Sequence, residues 1–593
     1  MQIRRRLIPV TAAAGLAIVL VACGGGGQGA PGAGGGTPRK GGTLKVIGSA
    51  DVDHLDPSST YTTAGYNLAR TWTRQLISYP ADNDFTRATT PVADVAVDLP
   101  TRENGGVSRD GLTYTFTIRE GVMWNTNPPR QVTAADFVRG FKRLANPVQP
   151  SGGISYYTST IAGMQEYFTK AQRGGRTAAE ISRFMAENEI SGLKADGDRK
   201  LTIRLRVPAS DFLNILALSF ASPAPVEYDA YVPDSSEFRT NTVSLGPYQI
   251  VRYQAGKSVS LTRNPAWRQD TDPIRHQYVD GIDITLGQDS PDAVQLQLEA
   301  GSADLAWDQP VPTSALPRLQ GNPDFKVWES SNLNPFLVFN LQSPNNGRAL
   351  NDVRVRRALS YAVNKAAIVR IFGGPKISTV LNGAIPPGSS GFDAAVKPYA
   401  TPGDEGDPAR CRNELAAAGH PAGLTLQFPY RTNGNHPKVA QSIAGDLTAC
   451  GVRTTLIATT ADDFYGRYLS SVAKSREGKW DIAGPGWIPD WFGNNGRAIV
   501  QPLFDGRNYT EGSTNYGAYN NPEVNALIDR ALTASSPQAA AETWKQANQK
   551  IMADAPIVPL MSQNTPLFKS SRVRGAVYNP LAQYYDFTQI WLG

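Results

Sequence analysis

Three cysteines and four histidines in 593 residues leave little material for metal chemistry or a dense disulfide framework. The histidines, His54, His276, His420 and His436, lack ligand spacing, so no metal and no cofactor are expected. Charge is also sparse. Charged residues make up 19% of the chain, below the usual ~25%, which excludes a highly charged disordered protein. A single long apolar run, Leu7 to Ala22, excludes a polytopic membrane protein. The net charge of +6 falls to about +3 without Arg4, Arg5 and Arg6, too weak and dispersed for a nucleic-acid surface.

Catalytic motifs are missing too. Ala255-Gly-Lys-Ser258 imitates a phosphate loop, but the required preceding glycine is Val251, and the segment reads as a hairpin. Ser471-Val-Ala-Lys474 matches a serine-lysine tetrad without the Lys-Thr-Gly that would complete it. No Gly-x-Ser-x-Gly elbow occurs. An enzyme is therefore not expected.

What is present starts with Met1 to Arg6, a basic segment, followed by sixteen mostly apolar residues broken by Pro9, Thr11 and Gly15. This is the layout of a secretory signal peptide, residues 1–22. Leu20-Val21-Ala22-Cys23 resembles a bacterial lipobox, which implies cleavage before Cys23 and lipid on that residue. Several acyl chains, at ~0.8 kcal/mol per buried methylene, form a stable anchor. Residues 23–42 are mostly glycine and read as a flexible tether, so the body is expected at the outer face of a cell membrane. Cys411 and Cys450 remain. They lie in or beside two helical patterns and are expected to form a disulfide, closing a loop for about 4 kcal/mol, in preference to two buried thiols.

In the body, Leu112 to Arg119 alternates as a half-buried strand, and Thr133-Ala-Ala-Asp136 reads as a capping box. Leu193 to Val207 reads as a hairpin turning at Asp196-Gly197, and Tyr248 to Leu261 as another turning at Gly256. Pro335 to Asn340 is an apolar strand, Asn351 to Ile371 a helix, and Leu424 to Ile457 a strand-helix-strand unit. Pro537 to Ala553 is a last helix before a strand at Ile557 to Met561. Strands and helices alternate, as expected of an α/β protein.

A series of short segments, in order, carries a family resemblance. They include Gly42-Thr-Leu-Lys45 with Leu55-Asp-Pro57, Tyr114 to Val122 with Thr133 to Phe137, and Gly246-Pro-Tyr248 with Arg263-Asn-Pro265. Later come Gly301 to Asp304, Phe339-Asn340, Asp352 to Leu359, Gly486-Trp487 with Asp490, Asn521 to Val524 and Ile557 to Leu560. The chain resembles the extracellular solute-binding proteins of family 5, the dipeptide- and oligopeptide-binding type that serves ABC importers. The resemblance implies a two-lobed periplasmic-binding-protein-like clamp, type II in its large family-5 form, with an extra subdomain in the first lobe. Lobe 1 would take residues 43–84, 208–330 and 557–593, the inserted subdomain 85–207, and lobe 2 332–556. It also implies a monomer that hands cargo to permease subunits driven by cytoplasmic ATPases.

In peptide-binding relatives the aspartate of the Gly-Trp segment takes the ligand's α-ammonium, and the backbone before it pairs with the ligand. Carried over, that role falls to Asp490, with Gly486 and Ile488 supplying backbone and Trp487 and Trp491 walling the pocket. Tyr61 and Thr62 are candidates from the opposing lobe. Relatives often place a carboxylate-binding arginine where this chain has Gly484, so either another cation, such as Arg431 or Arg467, replaces it, or the ligand's far end is unclamped, or the ligand is not a simple peptide. Rival readings are a sugar, opine, metallophore or haem as cargo, an extracellular hydrolase hooked on Ser471, and a peptide-sensing lipoprotein.

Overall fold

The computed structural model describes residues 36–461, 463–534 and 536–593. The expected leader, the lipidated Cys23 and most of the tether lie outside the described residues.

The first lobe is built on a five-stranded sheet. Thr43–Ile47 lies parallel to Gly281–Thr285 on one side and to Leu305–Ala306 on the other. Ser258–Arg263 and Tyr248–Gln254 continue the sheet antiparallel beyond Gly281–Thr285. The last two strands form the expected hairpin, and Gly256 at its tip has φ +65°, which favours a residue without a side chain. Leu44, Val46, Val259, Leu261, Ile282 and Ile284 alternate onto one buried face with Trp72 and Trp307. The helix Thr63–Trp72 packs there.

The inserted subdomain has a three-stranded antiparallel sheet in the order Thr113–Thr117, Lys200–Arg204, Leu193–Asp196. The helix Ala134–Arg143 packs on it, and the Asp136 carboxylate accepts the Thr133 N–H at 3.0 Å, as the capping-box pattern requires.

In the second lobe, Phe336–Phe339 runs between Ile482–Ala483 and Ile557–Pro559, antiparallel to both. Thr425–Arg431 and Arg453–Thr459 pair in parallel through the crossover helix His436–Ala449. Asp481 ties the two sets of strands together, its carboxylate accepting Gln427 N–H at 2.7 Å and its own N–H reaching Gln427 O at 2.9 Å. Cys411 and Cys450 form a disulfide with Cα atoms 5.6 Å apart, joining the helix Pro408–Ala417 to the end of the crossover helix.

Two expectations are corrected. The segment Asn351 to Ile371 is two helices, Val353–Ala362 and Lys365–Ile371, because the Asn364 side chain caps the second by accepting Ala367 N–H at 2.8 Å. The C-terminal return to the first lobe begins later than residue 557. Ile557–Pro559 and Met561–Gln563 pair with second-lobe strands, and only Thr565–Phe568 crosses back, to pair with Phe325–Trp328. The apolar run at 557–561 is buried as a sheet strand in the second lobe, and composition alone does not say which sheet receives it.

Candidate functional site

Beyond Ile482–Ala483 the chain runs on as an extended segment with two different edges. Along one edge, Pro485 O accepts Phe336 N–H at 3.0 Å, while Trp487 exchanges hydrogen bonds of 2.8 and 2.9 Å with Leu333. The alternate residues face the other way, following the period of two. There Gly484 O accepts from Arg431 Nη2 at 3.3 Å, and Gly486 N–H donates to Tyr465 Oη at 3.1 Å. Gly486 O and Ile488 N–H have no partner among the described residues. Gly486 itself is required by packing, since a Cβ would stand 2.2 Å from Asn334 Oδ1.

Asp490 follows, half-buried. Two phenols from the first lobe and its subdomain donate to its Oδ2: Tyr61 at 3.0 Å and Tyr156 in a shorter contact. Oδ1 takes no hydrogen bond from the described residues. Burial pushes the Asp490 carboxyl up to about 7, with the two phenols pulling the other way. Burial first, and the carboxylate second, hold both phenols well above the ordinary tyrosine range. Among the described residues this enclosed carboxylate has hydrogen bonds but no cation, the condition that raises an acid.

Tyr61 is held by its own loop. The Asp53 carboxylate accepts the Tyr61 and Thr62 N–H groups at 2.6 and 2.9 Å and the Thr60 and Thr62 hydroxyls at 3.0 Å. The Tyr61 ring meets Phe220 edge-on at 5.2 Å and Trp487 at 6.4 Å. Gly152 lets the subdomain approach it, since a Cβ there would lie 2.6 Å from the Tyr61 ring.

The structure brings Tyr61, Gly486, Trp487, Ile488 and Asp490 to one place, with two exceptions to the expected set. Thr62 is exposed and caps the helix Thr63–Trp72, accepting Gly65 N–H at 3.1 Å. Trp491 is fully buried and meets Tyr156 edge-on at 5.0 Å, its Nε1 donating to Asn494 O. It supports Tyr156 from behind instead of walling the pocket. Trp487 is largely buried and donates to Ala498 O at 2.8 Å, leaving an edge toward Tyr61.

Of the two cations, Arg467 stands 81% exposed in an ion pair with Asp463, whereas Arg431 lies at Gly484. Its guanidinium sits over Phe464 and Tyr465, 5.3 and 5.2 Å from the ring centroids, and its buried Nε has no partner. Arg431 thus meets the extended segment at Gly484, six residues before Asp490. Burial and the Arg431 charge push the neighbouring His436 well below its ordinary range, keeping it neutral. Tyr156, Phe220, Tyr465 and Tyr516 escaped sequence reasoning, since no local pattern distinguishes them from core aromatics.

Ser471 caps the helix Val472–Arg476, and Lys474 pairs with Glu477 at 3.8 Å, so the tetrad is a helix start. Among the described residues no cluster of three or more His, Cys, Asp or Glu could hold a metal, and no helix is long and apolar enough to cross a membrane.

The model of the bacterial extracellular solute-binding proteins, family 5 (middle), matches residues 88–510. The chain belongs to this family. Heme-binding protein A of Haemophilus influenzae is 27% identical over 82% of this chain and 82% of its own length. The dipeptide-binding protein of Escherichia coli is 28% identical, covering 82% and 84%. The solved clavulanic acid biosynthesis oligopeptide binding protein 2 superposes with a TM-score of 0.79 at 26% identity, covering 94% of this chain and 96% of that one. This family-5 protein is therefore a binding protein and not an enzyme. It is an extracellular or periplasmic component that binds a small ligand and delivers it to an ABC transporter.

Proposed function

We propose that this family-5 protein captures short peptides and is held at the membrane by lipid on Cys23. The observation that carries the peptide reading is one extended segment that, among the described residues, meets a guanidinium without an acid at Gly484, leaves Gly486 O and Ile488 N–H unpaired, and ends on a carboxylate without a cation, Asp490. Asp490 Oδ1 accepts the peptide α-ammonium in a charge-assisted bond. The free groups of that edge, Gly486 O and Ile488 N–H, pair with the peptide backbone, giving affinity without reading side chains. Arg431, standing beside Gly484, takes the terminal carboxylate. The match to a dipeptide-binding relative supports this reading, while the match to a heme-binding one keeps cargo identity a matter for direct measurement.

Native mass spectrometry of the protein purified from its host tests the cargo. Co-purifying masses are expected to resolve into peptides, and a haem or sugar mass in their place sinks the reading. Isothermal titration with dialanine and trialanine then gauges length. Metabolic labelling with a clickable fatty acid tests the anchor, with Cys23→Ser expected to abolish labelling and release the protein from membranes.

A further inference from the structure

Seven positions after the candidate ligand anchor, Arg497 opens the helix Arg497–Phe504 with 1% of its surface exposed. One of its hydrogen bonds stays in the second lobe, from Nε to Gln501 Oε1 at 2.7 Å. The others cross to the first lobe and its subdomain. Nη1 reaches Asp211 Oδ1 at 3.2 Å, and Nη2 reaches Tyr156 O at 3.1 Å and the Ser159 and Thr160 hydroxyls, both at 2.8 Å. The Asp211 side chain is itself only 7% exposed. Apolar and polar contacts surround the pair: Phe492 meets Phe85 edge-on at 5.3 Å, and Asn494 Nδ2 donates to Ser210 Oγ at 2.9 Å. Trp491 and Phe492 are fully buried in the subdomain's own hydrophobic cluster.

We propose that Arg497 is the latch of the closed clamp and the positioning residue that seats Tyr156 against Asp490. The forked guanidinium satisfies acceptors from four first-lobe residues at once, which an ammonium point charge cannot reproduce. Hinge opening breaks all of these bonds together and returns both Arg497 and Asp211 to water. Unlike Asp490, the latch is complete without cargo. It therefore sets the ratio of open to closed protein before any ligand arrives, and scales the apparent affinity of every cargo by one common factor. The inference requires a clamp that opens but no particular ligand.

Small-angle scattering of the ligand-free full chain tests it, comparing wild type with R497Q, R497K, D211N and the R497Q/D211N double variant. The closed population of R497Q is expected to fall at least tenfold, read as a larger radius of gyration. R497K should fall between R497Q and wild type. D211N should shift in the same direction, and the double variant should be no more open than the more open single, as expected of two residues in one contact. A purely structural role would lower the unfolding temperature without changing lobe geometry below it. Scattering of R497Q and D211N identical to wild type overturns the latch, and so does strict additivity in the double variant. Should R497Q not fold, R497K and D211N carry the same comparison. A failure of the peptide reading leaves this result untouched, since no ligand is added.

Discussion

Two charged groups bridge the lobes, and they are finished to different degrees. Arg497 carries its own counter-ion, Asp211, with neutral acceptors filling the rest of its fork. Among the described residues Asp490 meets two phenols and no cation, with Oδ1 unpaired, and has its carboxyl pushed up to about 7 by burial. The first contact is a closed structural joint. The second is an electrostatically incomplete one, and on the proposed reading that incompleteness is what selects a ligand bringing its own cation.

The sharpest way to break this contrast is Asp490→Ala. Truncating one partner of a buried charge pair costs on the order of 2–5 kcal/mol, so trialanine affinity by isothermal titration should fall about a hundredfold, with the fold intact. An unchanged affinity would demote Asp490 to a second structural joint. Arg431→Gln should weaken trialanine by roughly tenfold to a hundredfold, since bonds to charged groups contribute about 1.5–3 kcal/mol. The loss should vanish for a C-terminally amidated trialanine, and its persistence there would remove Arg431 from ligand recognition.

The two contacts should also separate by pH. The Asp490 carboxyl is pushed up to about 7 in the fold and titrates near 3.9 in an unfolded chain, so the ligand-free fold holds an extra proton between these values. The stability this brings is complete below about pH 4 and is lost as pH rises through about 7. Trialanine needs the ionised carboxylate, so its affinity should run the opposite way and rise across the same window. Asp490→Asn should flatten both profiles; profiles that survive in that variant would assign the titration elsewhere. Tyr156→Phe removes one donor to Asp490 and should change trialanine affinity several-fold, about 1 kcal/mol. Thr62→Ala has the smallest expected effect. It should lower stability in urea by about 1 kcal/mol, the usual worth of a helix cap, and leave affinity unchanged. A tenfold affinity loss would return Thr62 to the ligand site.

Much of this was legible in the chain before folding was considered. Hairpins at Gly197 and Gly256, the Thr133 capping box and the strand-helix-strand unit ending near Ile457 follow from local rules of periodicity, turn chemistry and capping, which need only neighbouring residues. Asp490 and Trp487 were singled out because a family resemblance attaches a role to their motif, and the fold sets both beside Tyr61. Tyr61 came from rough placement after Leu55-Asp-Pro57. Thr62 and Trp491 were misplaced for one reason: a threonine before a helix and a tryptophan after a site aspartate have the same local sequence whether they face a ligand, cap a helix or fill a core. The break at Asn364 was obscured by an apolar periodicity that continues through it.

The amino-acid sequence alone determined the absence of the catalytic motifs tested, the α/β alternation, and a disulfide or buried thiols at Cys411 and Cys450. These depend on composition, parity and short-range pattern. Tertiary structure decided the rest. It chose Arg431 over Arg467 to stand at Gly484 and sent Ile557–Pro559 to the second lobe's sheet. It also brought Tyr61 and Tyr156 onto one oxygen of Asp490 from positions 429 and 334 residues away. Contacts at such separation are set by how two lobes close on each other, and no local preference of either partner encodes that approach.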